Sequence, residues 1–127
     1  MKDGSLSVID FKTGQPPSAK QVLTGFAPQL ALEGYMAKLG GFKDIPRSVE
    51  VSDMAWIKLS GGRKAGEIKS GIEKDYAAED IVELIGKRLL GLIVAYDNPS
   101  KGYMSRARPM FERFESPYDH LARVKEW

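Results

Sequence analysis

The sequence contains no cysteine, which excludes disulfides, thiolate zinc sites and iron–sulfur clusters. Its single histidine, His120, argues against a histidine-rich metal site and reads as a surface or capping-region residue. No apolar run approaches the roughly 20 residues that a membrane-spanning helix needs. The start also lacks the long apolar core of a secretory signal, because Lys2 and Asp3 lead directly into a strand pattern. These absences together favour the cytoplasm. Charge of one sign is lacking too: the formal net charge is +2 and the isoelectric point near 8.8, a balance that permits nucleic acid without demanding it. Internal repeats and low-complexity tracts are missing.

What remains is an ordinary globular composition. At 127 residues, 43% hydrophobic and 28% charged, the chain fits one domain with a modest core. The stretch Ser7-Val8-Ile9-Asp10-Phe11-Lys12-Thr13-Gly14 reads as a strand ending in charge. Alternation puts Leu6, Val8, Asp10 and Lys12 on one face and Ile9 and Phe11 on the other. The first face therefore changes from apolar to ionic near the strand's end, with roughly 7 Å between the two charged residues. A carboxylate can hold a divalent cation, and a lysine one pleat away can steady an anionic oxygen beside it. That chemistry suits attack on a phosphodiester, although an Asp-x-Lys tripeptide is also common at solvated strand edges.

Asp3-Gly4 is a hairpin signal, yet too little chain precedes it to form a partner strand, so the expectation is a longer parent. The polar connection from Gln15 to Gln21 carries Pro16 and Pro17, which argue against a helix or central strand there. It follows the charged strand end, where Lys20 could border a substrate groove. A helix is predicted from Pro28, with Leu32, Tyr35, Met36 and Leu39 as its buried stripe and Gly40-Gly41 as its stop. Gln29 and Glu33 lie one turn apart on another face. A strand, bulged or regular, is expected over 49–59, with Ala55, Ile57 and Leu59 opposite Met54, Trp56 and Lys58. Ser60-Gly61-Gly62-Arg63-Lys64 is a basic turn, and 66–74 is a short strand or loop; Lys58, Arg63, Lys64, Lys69 and Lys74 make this stretch locally basic.

Asp75 is a candidate cap for a long helix from about Tyr76 to Ala95, with Ile81, Leu84, Ile85, Leu89, Leu92 and Val94 to Tyr96 as its apolar stripe. Asp97 to Gly102 breaks it. Tyr103 to Arg108 reads as a short strand whose Arg106 and Arg108 share a face and could touch phosphate. Ser116-Pro117-Tyr118-Asp119 has the form of a capping box for a last helix toward Trp127. Trp56 and Trp127 read as packing residues, and Tyr76, Tyr96 and Tyr103 as core or rim. Alternating strand and helix patterns predict a single α/β or mixed α+β domain.

Val8-Ile9-Asp10-Phe11-Lys12-Thr13-Gly14, followed by Ala27-Pro28-Gln29-Leu30, resembles the RecB-like branch of the PD-(D/E)XK nuclease superfamily. Over all 127 residues, including the ending Tyr118-Asp119-His120-Leu121-Ala122-Arg123-Val124, the chain is similar to the C-terminal nuclease domain of the AddB family in its alphaproteobacterial form. The resemblance implies a restriction-endonuclease-like domain, a mixed sheet flanked by helices, lacking its first strand and helix. It implies a Mg²⁺-dependent (or Mn²⁺-dependent) deoxyribonuclease that works with an AddA-type helicase–nuclease subunit on double-strand breaks. Carried over by motif, Asp10 and the main-chain carbonyl of Phe11 would hold the cation. Lys12 would orient water or stabilise developing charge, and Gln29 would position Lys12 or the DNA backbone. Lys20, Arg63, Lys64, Arg106 and Arg108 are candidate DNA contacts.

The match departs from the pattern twice. The acidic motif that precedes the strand in this family, and its upstream Glu or His, are not in the sequence, so the isolated chain is expected to be inactive or nearly so. Glu33 stands four residues after Gln29 where the branch often has tyrosine, and Tyr35 lies about 200° further round the helix. Two other readings stand beside the enzyme. One is a non-catalytic DNA-binding or subunit-docking module. The other is a small scaffold in which Asp10 and Lys12 form a surface ion pair worth at most about 1 kcal/mol. An unpaired outer strand would also invite self-association through the sheet edge.

Overall fold

The computed structural model describes residues 4–61 and 66–103, so the candidates Arg63, Lys64, Arg106, Arg108 and His120, and the final helix, lie outside the described residues. The chain divides into two compact units, residues 1–93 and 94–127. It is a mixed α/β protein built on a three-stranded mixed sheet. The strands are β1 (Leu6–Lys12), β2 (Val51–Lys58) and β3 (Glu67–Ser70), and the helices are α1 (Ala19–Leu23), α2 (Gln29–Lys38) and α3 (Ala78–Tyr96). Strand order is β1-β2-β3, with β1 parallel to β2 and β3 antiparallel. The parallel pair is joined through α1 and α2, as a crossover requires.

In β1 the predicted alternation holds. Val8 is buried, Leu6, Asp10 and Lys12 are half-buried, and Ser7, Ile9 and Phe11 are exposed. Register carries these faces across the sheet. On the inner face one row reads Asp10, Trp56, Lys69 and the next Lys12, Lys58, Glu67; on the outer face Phe11, Ile57 and Ile68 line up. The inner face packs against α2 and α3 through Val8, Leu30, Ala31, Val51, Met54, Trp56, Ile81, Val82 and Ile85. The outer face carries Phe11 and Ile68 at 61% and 73% exposure. β2 is bulged: Leu6 pairs with Val51 but Ser7 with Asp53, leaving Ser52 as the extra residue.

Four expectations are corrected. The connection after Gly14 contains α1: Pro16 and Pro17 stop short of Ser18, which caps the helix. The Gln21 amide donates to Ser18 Oγ at 3.3 Å, and the Ser18 amide to Gln21 Oε1 at 2.8 Å, a reciprocal capping box. The buried stripe of α2 is Leu30, Ala31, Gly34 and Ala37, while Met36 and Leu39 are exposed. Small residues win because the helix sits close: a Cβ on Gly34 would lie 3.0 Å from Val82 and 3.3 Å from Val51. Leu32 and Tyr35 are partly buried at the flanks. Asp75 is no cap; its φ of 68° places it in a left-handed turn, and α3 begins at Ala78. The predicted stripe of α3 is buried at Ile81 and Ile85, but Leu89 and Leu92 are exposed.

The stop of α2 follows its expected chemistry. Gly40 takes φ 81°, its amide donates to Ala37 O, and the Gly41 amide reaches back to Met36 O, both at 2.9 Å; this is a Schellman closure. In the second unit, Tyr96 and Tyr103 stack with ring centroids 4.8 Å apart, and the Ser100 amide donates to Asn98 Oδ1 at 2.9 Å.

Candidate functional site

The ionic end of the inner face draws together the three residues that the sequence motif singles out. Lys12 Nζ stands 2.8 Å from Asp10 Oδ2 and donates to Gln29 Oε1 at 3.1 Å. The Gln29 amide nitrogen then donates to Glu33 Oε1 at 3.1 Å. A single chain of contacts thus runs Asp10–Lys12–Gln29–Glu33, from β1 onto the first turn and a half of α2. Gln29 uses its oxygen for the lysine and its nitrogen for the glutamate, which fixes the sense of its amide. The Asp10 and Lys12 side chains are 23% and 33% exposed, so the pair stands at a half-sheltered boundary.

Asp10 Oδ2 is enclosed and makes no hydrogen bond, although Lys12 is near. The two facts agree if the ammonium approaches off the line along which the carboxylate accepts, so their contact is one of charge. A carboxylate oxygen with acceptor capacity left over is what a hard cation takes up. The backbone adds a second oxygen. Leu6 donates to Glu50 O and Lys12 O accepts from Leu59, both at 2.8 Å, so the even residues of β1 serve the ladder. The carbonyl of Phe11 therefore turns to the edge that no described strand occupies. These two oxygens suit Mg²⁺, which keeps several waters and needs few protein ligands. Among the described residues no cluster of three or more acidic or histidine side chains accompanies them.

Cations border this group. Lys58, beside Lys12 in the next strand, donates to Gln15 Oε1 at 3.1 Å, and Lys69 lies across Trp56 from Asp10, 4.0 Å from Glu67. Lys20 is exposed on α1.

Compared with known proteins, the chain matches no protein-family model, no curated protein and no solved structure.

Glu33, which the sequence already places one turn from Gln29, serves as the acceptor that orients it. Tyr35 is engaged elsewhere: its ring fills the space over Gly86 of α3, where a Cβ would collide with the ring carbons. Trp56 is a core residue at 1% exposure, as its packing role requires, but its indole nitrogen has no partner. Nothing in the order of residues signals that orphaned atom.

A second charged cluster lies away from this end. Lys38 of α2 is bonded to Glu79 and, at 2.6 Å, to Glu83 of α3, while the other Glu79 oxygen accepts from the Val51 amide at 2.9 Å. Burial pushes the Lys38 ammonium down, but hydrogen bonds and charge from Glu79 and Glu83 outweigh it and leave its pKa above the usual 10.5. Burial pushes Glu79 up, and Lys38 with the Val51 amide outweighs that, leaving it below the usual 4.5. This cluster ties α2, β2 and α3 together, and so holds the helix that carries Gln29.

Proposed function

We propose that this chain carries the catalytic strand of a Mg²⁺-dependent DNA nuclease of the RecB-like PD-(D/E)XK type, with a restriction-endonuclease-like fold. The observation that supports the reading is the convergence of Asp10, Lys12 and Gln29 in one chain of contacts at the ionic end of the inner face. Asp10 and the Phe11 carbonyl would hold the cation. When bound, that ion lowers the pKa of a coordinated water and neutralises phosphate charge. Lys12 would place its ammonium against the phosphate oxygens as their charge grows. Gln29, locked by Glu33, holds that ammonium in place. Lys58 and Lys69 extend positive charge along the same face, suited to the backbone of DNA. The setting proposed is cytoplasmic double-strand-break repair, with an AddA-type helicase–nuclease subunit as partner.

With no group of three or more metal-ligating side chains among the described residues, these 127 residues by themselves should cleave DNA weakly or not at all. That scarcity also favours a second reading, a DNA-binding or subunit-docking module with a nuclease-like face. Mg²⁺-dependent cleavage of linear duplex DNA by the natural polypeptide that carries this chain separates them. Under the first reading Lys12→Ala lowers the rate by roughly 100-fold or more while DNA binding survives. Full activity in Asp10→Ala would sink the enzyme reading. Self-association is a further proposal: the outward backbone groups of β1 and the apolar row Phe11, Ile57, Ile68 offer a second copy an edge, which concentration-dependent sedimentation would reveal.

A further inference from the structure

Both ends of β1 are fastened on its β2 side. At one end Ser5 Oγ donates to Ser52 Oγ at 2.7 Å; at the other Lys58 Nζ donates to Gln15 Oε1 at 3.1 Å, so the connection after the strand leaves across β2. The opposite edge, with the N–H and C=O groups of Ser7, Ile9 and Phe11, carries no described strand. Such an edge is a template for another strand, and the side chains beside it decide which. On the inner face Asp10 and Lys12 stand two residues apart with opposite charge. On the outer face Phe11 heads the row Phe11, Ile57, Ile68.

This pattern is complementary to itself. In an antiparallel pair of two β1 strands the outward residues face one another, so odd positions pair with odd. Centring the pair on Phe11 sets Asp10 opposite the partner's Lys12, and Lys12 opposite the partner's Asp10. Sliding one strand by two residues in either direction sets two aspartates or two lysines face to face. Centring on Ile9 instead sets Asp10 against the partner's Val8 and Lys12 against the partner's Leu6. The Phe11-centred register also lays Phe11 against the partner's Phe11, running the outer row Ile68, Ile57, Phe11 straight into its copy. Charge on one face and apolar contact on the other select the same alignment.

We propose that two copies of this chain pair antiparallel along β1 about a two-fold axis at Phe11, so that each Asp10 lies between its own Lys12 and the partner's Lys12. The self-association proposed above thereby gains a register and a consequence. In this ladder the Phe11 carbonyl accepts from the partner's Phe11 amide, and that carbonyl is the second oxygen of the cation site. Pairing therefore closes the site that the nuclease reading requires open. Only this last consequence rests on that reading.

The chain has no cysteine, so Phe11→Cys supplies a sole thiol. At a directly opposed, hydrogen-bonded position the two Cα atoms lie about 5.5 Å apart, within disulfide reach. Mild oxidation should cross-link Phe11→Cys in a concentration-dependent way. It should leave Ser7→Cys single, because its two copies lie about 27 Å apart. Equal cross-linking of the two variants, or none in either, overturns the register. Sedimentation reads the charges: Asp10→Lys and Lys12→Asp should each weaken self-association roughly tenfold or more, and an equimolar mixture should regain it as a heterodimer. A mixture no more associated than its parts, or a wild type monomeric at millimolar concentration, overturns the pairing. Mn²⁺, added as the cation probe, should shift the wild type toward monomer. A dimer that persists with Mn²⁺ bound overturns the closure and upholds the pairing. A chain that binds Mn²⁺ and never pairs overturns the proposal while the cation reading stands.

Discussion

Replacing Lys38 with methionine tests how α2 is held. The side chain of Lys38 is 15% exposed and lies between Glu79 and Glu83, at 31% and 37%. Fully exposed pairs contribute about 0–1 kcal/mol and breaking fully buried ones costs about 3–5 kcal/mol. This arrangement falls between, with one ammonium serving two carboxylates, and methionine keeps most of the stem's packing. The expected loss at neutral pH is about 2 kcal/mol. Its pH dependence follows from the shifts. The folded pKa of Glu79 is depressed, so its contribution is complete above the usual 4.5 and disappears as pH falls through the lower folded value. The folded pKa of Lys38 is raised, so its contribution is complete below 10.5 and disappears as pH rises through the higher folded value. Urea unfolding followed by circular dichroism, repeated in steps through the acid range, should show a constant gap between wild type and Lys38→Met near neutrality that narrows below pH 4.5. Equal stability at neutral pH, or a gap that keeps its full width in acid, would refute the reasoning.

Two glycines of α3 should respond in opposite directions. Gly86→Ala meets the Tyr35 ring and should destabilise by about 1–3 kcal/mol despite the better helix former, whereas Gly91→Ala meets nothing within 4 Å and should stabilise by about 0.5–1 kcal/mol; thermal melts compare them directly. Ser18→Ala removes the cap of α1 and should cost about 1 kcal/mol, seen as faster amide exchange at Gln21 and Val22; unchanged exchange there would argue against the capping box. Phe11→Ser with Ile68→Thr removes the most exposed apolar groups of the outer sheet face among the described residues, and should shift any concentration-dependent sedimentation toward monomer.

The strand at the site was legible because period-two alternation is a local property: residues 6 to 12 sort into two faces without knowledge of their neighbours. The meeting of Lys12 with Gln29 was expected from motif resemblance alone; in the fold Lys12 Nζ donates to Gln29 Oε1 at 3.1 Å. The stripe of α2 was misread because large apolar residues look like core, and only the proximity of Val51 and Val82 reveals that Ala31, Gly34 and Ala37 face inward. α1 was missed because two prolines drew attention from the serine that follows them. Asp75 failed as a cap since an aspartate tolerates a left-handed turn about as readily as it starts a helix. That the buried indole nitrogen of Trp56 lacks a partner depends on how the core packs around it, which no single stretch of sequence contains.

The extra residue in β2 has an implication for how this strand can vary. Val51, Met54 and Trp56 all reach the core, yet Val51 and Met54 are three positions apart, an odd step that only an inserted residue reconciles with pleating. Removing Ser52 would leave Val51, Met54 and Trp56 at regular alternate positions, with Asp53 and Ala55 outward. A central strand normally tolerates no single-residue deletion, because every later side chain changes sides. Here such a deletion would straighten the strand and keep its partners, so length variation between relatives of this chain should concentrate at position 52 rather than in the stretch from Met54 to Lys58.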